Sequence, residues 1–439
     1  MKTNRREFIG AAAFFSVAGL LGANAQDADA AQLANLLEVA GSDPDGEVGK
    51  PYRGWKEGEL DLNFIHTGVG ESCFQICPDG TTILTDAGDR DAASYKEKVA
   101  ILPNESRRPG EWIARYIGRA KPGIEKIDYV VASHYHDDHI GSWRHGVGVA
   151  EGRGDYQISG ITQVAEYYAI GAAFDRGYPD YNQPNDRAPR DRDNWRKFLD
   201  YKEKNEGLKR EAFVVGALDQ IKLVNEPEKY DYHVRNICRN GVVWSGEGDE
   251  TVDYYAKNPK NAAGSINENT CSVATVTSFG PFRFFSGGDV SCPLLDEDGK
   301  PVDYEGAVGR AAGPVDVCKS NHHSYRDAMS PGFVKATKPR VYVTCVWDRW
   351  HLQNNTASAM TDEASYPGDR LICPTTIHPG NAEMMEGKPW RESLVERTGS
   401  VVVKVYDGGK KYKVYYLTAE DESMTVTAVY GPFDSRGGV

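Results

Sequence analysis

Ile127-Asp128-Tyr129-Val130-Val131-Ala132-Ser133-His134-Tyr135-His136-Asp137-Asp138-His139 joins a short apolar run to a crowd of ligand-type side chains. Ile127 to Ala132 predicts a buried strand. It runs directly into three imidazoles and the Asp138 carboxylate. On an extended segment residues two apart point the same way, so His134 and His136 share a face. Asp138 and His139 follow where the chain turns. Imidazoles and a carboxylate gathered at a strand end are metal-ligand chemistry. The plain alternative is a solvated polar loop. With ten histidines in 439 residues, chance does not crowd three of them into six positions.

The flanking pattern fits a layered fold. Leu60 to Ile65, Ser72 to Ile76 and Thr82 to Thr85 read as an antiparallel meander with a turn at Pro78-Asp79-Gly80, ending in Asp86-Ala87-Gly88. Glu111 to Ile117 has helical periodicity, with Gly118 as the stop. Ile161 to Phe174 and Trp195 to Asn205 also read as helices, separated by the loop Asp180 to Asp193. Residues 211–245 hold short strand candidates. Strands return at Ser272 to Ser278, Phe282 to Ser286, Val315 to Lys319 and Arg340 to Thr344. Val401 to Tyr406 and Tyr412 to Leu417 form a hairpin through Asp407-Gly408-Gly409. Strand meanders with interspersed helices predict layered α/β or α+β.

Composition bounds the function. Hydrophobic residues at 40% and charged residues at 26% are ordinary for a globular chain. Eight cysteines are too sparse for a disulfide framework. Most sit in apolar runs and read as buried free thiols, with a bond involving Cys238, Cys292 or Cys373 left open. The net charge of −13 argues against a binder of the nucleic-acid backbone.

The N-terminus reads as an address. Lys2, Arg5 and Arg6 precede an apolar run from Phe8 to Leu21, and Ala23-Asn24-Ala25 has the form of a cleavage site. Arg5-Arg6 resembles the twin-arginine signature, which directs folded proteins to the periplasm or beyond. Loss of residues 1–25 would remove three positive charges and one negative, taking the net charge from −13 to −15. Residues 26–57 read as a poorly ordered acidic lead-in and 58–439 as one enlarged domain, with 150–265 as an insertion shaping the pocket. No other stretch is long and apolar enough to span a membrane. Oligomeric state is not legible.

His134-x-His136-x-Asp138-His139 resembles the H-x-H-x-D-H motif of the metallo-β-lactamase superfamily, a four-layer αββα sandwich. Asp86-Ala87-Gly88, Gly287-Gly288-Asp289 and Asn321-His322-His323 resemble its other motifs in order. Thr67-Gly68-Val69-Gly70-Glu71-Ser72, His322-His323 and Trp350-His351 resemble the β-lactamase-like domain of ComEC competence proteins. The resemblance implies that His134 and His136 bind a first metal. Asp138, His139 and one of His322 and His323 would bind a second, His322 being favoured because it comes first after the strand, and Asp289 would bridge. His323 would line the pocket, and Asp86 would orient a ligand imidazole. The superfamily's usual third histidine at the first metal falls near Asn269, and asparagine suits harder cations better than zinc.

The implied cofactor is a pair of divalent ions: zinc, manganese or iron. Such a pair holds a hydroxide at neutral pH. His136, in place of a carboxylate, favours a hydrolase over oxygen-reducing relatives. Asp138, His323 and His351 are the candidate catalytic residues, with His351 a proton donor to a leaving group or a loop histidine held by aromatic packing. Arg176 and Tyr178 are candidate substrate contacts, with a surface turn as the alternative. The leading expectation is an exported hydrolase of a small phosphodiester. A lactone or acyl-ester hydrolase, a secreted nuclease, and a binding protein with a decayed first site are the alternatives.

Overall fold

Apolar alternation along the strands builds a two-sheet core. The computed structural model describes residues 46–90, 99–182, 184, 190–256, 266–292, 294–296 and 298–437. Strands β1 (Leu60–Phe64), β2 (Cys73–Ile76), β3 (Thr82–Thr85) and β4 (Lys126–Ala132) open the chain, followed by the small hairpin β5 (Val147–Gly148) and β6 (Gln157–Ile158). Next come β7 (Ala169–Asp175), β8 (Lys209–Ala212), β9 (Tyr232–Arg239), β10 (Val242–Trp244), β11 (Thr251–Asp253), β12 (Ala274–Phe279) and β13 (Phe282–Ser286). A second small hairpin, β14 (Leu294–Leu295) and β15 (Pro301–Val302), precedes β16 (Val317–Lys319), β17 (Val341–Thr344) and β18 (Leu371–Pro374). The chain closes with β19 (Ser400–Tyr406), β20 (Lys411–Leu417) and β21 (Val426–Asp434).

One sheet has nine strands in the order β21-β20-β19-β1-β2-β3-β4-β7-β8, the other eight in the order β11-β10-β9-β12-β13-β16-β17-β18. Leu60, Leu62 and Phe64 of β1, Val401, Val403 and Val405 of β19, Phe282 and Phe284 of β13, and Val341 and Val343 of β17 meet in one core between the sheets. Their alternate neighbours face outward, as a period of two requires. Val402 joins Ile113 and Ile117 of helix α1 (Pro109–Ala120) in a second core. Phe285 and Tyr342 join Val308 of α2 (Tyr304–Ala312) and Phe333 of α3 (Pro331–Thr337) in a third. Helices therefore cover both outer faces, giving the expected mixed α/β sandwich.

Several expectations change. Ile161 to Phe174 is helical for one turn only, Ile161–Val164, and then becomes β7, which pairs in parallel with β4. Sheet pairing overrides the local alanine-rich preference. Within 150–265 the described residues supply β7 and β8 to one sheet and β9 to β11 to the other. Residues 46–57 are packed and not a loose lead-in. Tyr52 is buried with its hydroxyl 2.9 Å from Asp61 Oδ2, and Gly49 N donates to Val426 O. The C-terminal hairpin gains a third strand, β21. All eight cysteines are free, Cys238, Cys292 and Cys373 included. The leader and the remainder of the lead-in, residues 1–45, lie outside the described residues. Among the described residues no helix is long and apolar enough to cross a membrane.

Lys404 shows how a charge is tolerated inside. It lies directly opposite Asp61 across β1 and β19, fully buried. Its Nζ is 2.8 Å from Asp61 Oδ1 and 2.7 Å from Glu59 Oε2. Lys404→Met leaves the buried Asp61 carboxylate with Tyr52 alone. We expect it to lower stability by about 3–5 kcal/mol, read as a drop in the urea midpoint. Wild-type stability in that variant would contradict the pairing argument.

Candidate metal centre

Strand ends deliver the polar residues to one place. β3 and β4 run parallel, as do β13, β16 and β17, so their C-terminal ends open on the same edge. Asp86 follows β3, His134 to His139 follow β4, Asp289 follows β13, and His322 and His323 follow β16. Backbone bonds lock these loops together. Ala87 N donates to His139 O, Glu71 N to Asp138 O, and Gly88 N to Glu71 O. A Cβ on Gly88 would lie 2.0 Å from Asp138 O, so only glycine allows that approach. Gly288, at φ +51°, passes close to Ser133, where a Cβ would sit 2.6 Å from Ser133 Cβ.

Two donor groups share Asp289. His134, His136 and Asp289 form one; Glu71, His139, Asp289 and His323 form the other. In the first, His134 Nε2 is 3.0 Å from His136 Nδ1 and 3.8 Å from Asp289 Oδ2. In the second, His139 Nε2 is 3.2 Å from Asp289 Oδ1. His323 Nε2 is 3.3 Å from Asp138 Oδ2 and 3.7 Å from Asp289 Oδ2. Asp86, His134, His139, Asp289 and His323 are all at most 1% exposed.

Outer partners fix which nitrogen faces the centre. Asp86 Oδ2 lies 2.8 Å from His139 Nδ1 and also accepts from Ser133 Oγ at 2.6 Å. His323 Nδ1 donates to Cys345 O at 2.9 Å. Both rings therefore turn Nε2 inward. His139 Nε2, His323 Nε2 and Asp289 Oδ1 are buried without a hydrogen bond. Buried polar atoms rarely stay unsatisfied, and these are the atoms that ligate divalent metals. The donor set fits divalent metal binding.

Electrostatics point the same way. Burial lowers His134 and His136, so both imidazoles are neutral and able to ligate. Burial would lower His139 too, but Asp289, Asp86 and Asp138 raise it well above its usual value. Asp138 and Asp289 stay well below the usual carboxylate range; burial opposes this, and His139 overcomes it. Without a metal, the His139 proton is the local counter-charge.

The double histidine resolves opposite to expectation. His323 joins His139, Asp138 and Asp289. His322 instead turns toward Asn269, its Nε2 3.1 Å from Asn269 Nδ2, and its Nδ1 lies 2.7 Å from Asp327 Oδ1. Arg176 is no substrate reader: it is 1% exposed and clamps both oxygens of Glu268 at 2.6 Å. Tyr178 is half-buried, stacked under the Arg210 guanidinium and packed in the α1-side core, away from the donor groups. His351 belongs to the centre, its ring stacked on His323 at 4.5 Å.

Glu71 and Lys319 were not anticipated as site residues. Lys319 is fully buried, with Nζ 2.8 Å from Glu71 Oε2 and 3.9 Å from Asp289 Oδ1. A lysine closing the apolar run Val315 to Lys319 was the available signal.

Residues 66–148 match a family model described as the metallo-beta-lactamase superfamily. The match covers Glu71, Asp86 and the whole His134 to His139 motif. No curated protein matches the chain. The superfamily match and the donor groups together support a divalent-metal-dependent hydrolase in general, and the sandwich is consistent with that fold.

Two outcomes follow from the geometry. Asp86→Ala frees the His139 ring and should weaken metal binding about 10–100-fold, measured by competition with a chromogenic chelator; unchanged affinity would contradict the orienting role. Because His139 holds a proton in the metal-free protein, metal binding must expel it. Apparent affinity should therefore rise with pH until His139 deprotonates on its own. Calorimetry in buffers of different ionisation enthalpy should show proton release, and its absence would refute the assignment.

Proposed function

We propose that this chain is an exported binuclear hydrolase of small phosphodiesters, on the ComEC-type branch of the superfamily. The observation that carries the binuclear part is Asp289, one buried carboxylate facing two separate groups of imidazoles. His134, His136 and Asp289 would hold the first ion; Asp138, His139, His323 and Asp289 would hold the second. When bound, such ions make a hydroxide available at neutral pH and polarise the substrate oxygen.

The chain's own residues supply the rest. Arg90 lies over Trp347, its Nε 3.2 Å from Asp137 Oδ1 and its Nη1 3.8 Å from Asp138 Oδ1. It steadies Asp138 and brings a fixed positive charge beside the centre, which favours an anionic phosphodiester over a neutral lactone. That local charge matters because the net charge is −13. His351 accepts from Trp347 N and Asp348 N at Nδ1, both at 3.3 Å, so its proton sits on Nε2. Burial, reinforced by His323, holds His351 well below its usual pKa. It therefore acts as a neutral hydrogen-bond donor to a substrate oxygen and not as the proton donor first expected. The twin-arginine-like leader suits a protein that folds around its metals before export to the periplasm or beyond.

Metal-loaded protein should turn over bis(p-nitrophenyl) phosphate and lose that activity to a chelator. Turnover of lactones alone would replace the phosphodiester by an acyl substrate; turnover of neither, with metal confirmed, would refute the hydrolase. His351→Ala should lower kcat about 10²–10³-fold with little change in KM. An unchanged kcat would remove His351 from the reaction.

A further inference from the structure

The segment His134-Tyr135-His136 is held from outside the centre as well as from within it. His134 and His136 face Asp289, so Tyr135 between them faces away, where it is fully buried. Ser133 O accepts from Val273 N at 2.9 Å, and Tyr135 N donates to Glu268 Oε1 at 2.9 Å. These two tethers bracket His134. Both come from residues 268–273, which lead into β12 of the opposite sheet.

Glu268 is itself fixed by a cation from the histidines' own sheet. Arg176 directly follows β7 and grips both Glu268 oxygens, Nε to Oε1 and Nη2 to Oε2, each at 2.6 Å. The two side chains are 1% and 7% exposed. Arg176 Cζ also lies 4.4 Å from the centre of the Tyr135 ring. One guanidinium thus touches both the Tyr135 ring and the acceptor of the Tyr135 amide. The Tyr135 hydroxyl donates to Asp175 Oδ1 at 3.0 Å, and Asn240, just beyond β9, donates from Nδ2 to Arg176 O at 2.7 Å. A buried ion pair adds little net stability over a well-packed apolar pair of similar volume. What a bidentate pair adds is direction.

We propose that Arg176 and Glu268 are positioning residues for the first metal site, a clamp between the two sheets that fixes the Tyr135 backbone and so aims the His134 and His136 rings at Asp289. The rings leave little room for error, with His134 Nε2 3.0 Å from His136 Nδ1 and 3.8 Å from Asp289 Oδ2. The second donor group has supports of its own, Asp86 on His139 and Cys345 O on His323. Loss of the clamp therefore weakens the first site and spares the second. This inference rests on the binuclear reading above.

Zinc titration of the full chain by chelator competition, with the histidine ring signals followed by NMR, tests it. Arg176→Met/Glu268→Leu replaces the clamp by an apolar pair and removes the acceptor from Tyr135 N. This variant should bind zinc about 10–100-fold more weakly at His134 and His136. It should keep wild-type affinity at His139 and His323, which also shows that it folds. Arg176→Met/Glu268→Gln keeps a carbonyl oxygen for Tyr135 N and should recover most of the lost affinity; no recovery would contradict the aiming role. A pair that serves stability alone would move both sites together or neither, and either result overturns the proposal while the binuclear reading stands. The Tyr135 amide of metal-free wild type should resist hydrogen exchange, and rapid exchange there would refute the tether whether or not the variants fold. If wild type binds no zinc, or a single ion, the binuclear reading itself fails.

Discussion

Asp289 is a carboxylate buried among imidazoles, and its neighbours compound the electrostatic demand. Glu71, Asp86 and Asp138 are buried with it. Buried carboxylates are tolerated only when paired and hydrogen-bonded. The buried fixed cation facing them is Lys319, which touches Glu71 and reaches toward Asp289. One lysine does not balance four carboxylates. In the metal-free chain His139 makes up part of the difference by holding a proton; divalent ions satisfy the same demand more fully.

The sandwich meets this demand by geometry. Parallel strands in each sheet end on one edge, so loops separated by long stretches of sequence arrive together. Backbone bonds from the Glu71 hairpin and from Ala87 then pin the histidine loop, and glycines at 88 and 288 permit the close approach. Packing of the three cores fixes the strand ends, and the strand ends fix the ligand atoms. Rigidity at the centre is thus a property of both sheets.

Much of this was legible locally. The meander through Thr85, the buried strand into His134 and the strand into Asp289 follow from alternation and turn residues, and the ligand types follow from their crowding. What stayed hidden was long-range. β7 looks helical until β4 is beside it. Arg176 looks like a surface residue until Glu268, 92 residues on, closes over it. The order of His322 and His323 depends on backbone shape. These residues and Ser324 all have positive φ, at 44°, 50° and 56°, a tight left-handed stretch that sends the first ring to Asn269 and the second to Asp138. Spacing from a strand cannot reveal such a turn.

The second group is steadied by Asp86, Cys345 O and the stacked His351, whereas the first brings His134 and His136 to the same carboxylate. Both meet at Asp289, which makes that residue the hinge of the account. Anomalous diffraction from crystals grown with zinc and manganese tests it most directly. Two peaks, one on each side of Asp289 and next to the named histidines, are predicted. A single peak, or none near Asp289, would contradict the binuclear centre.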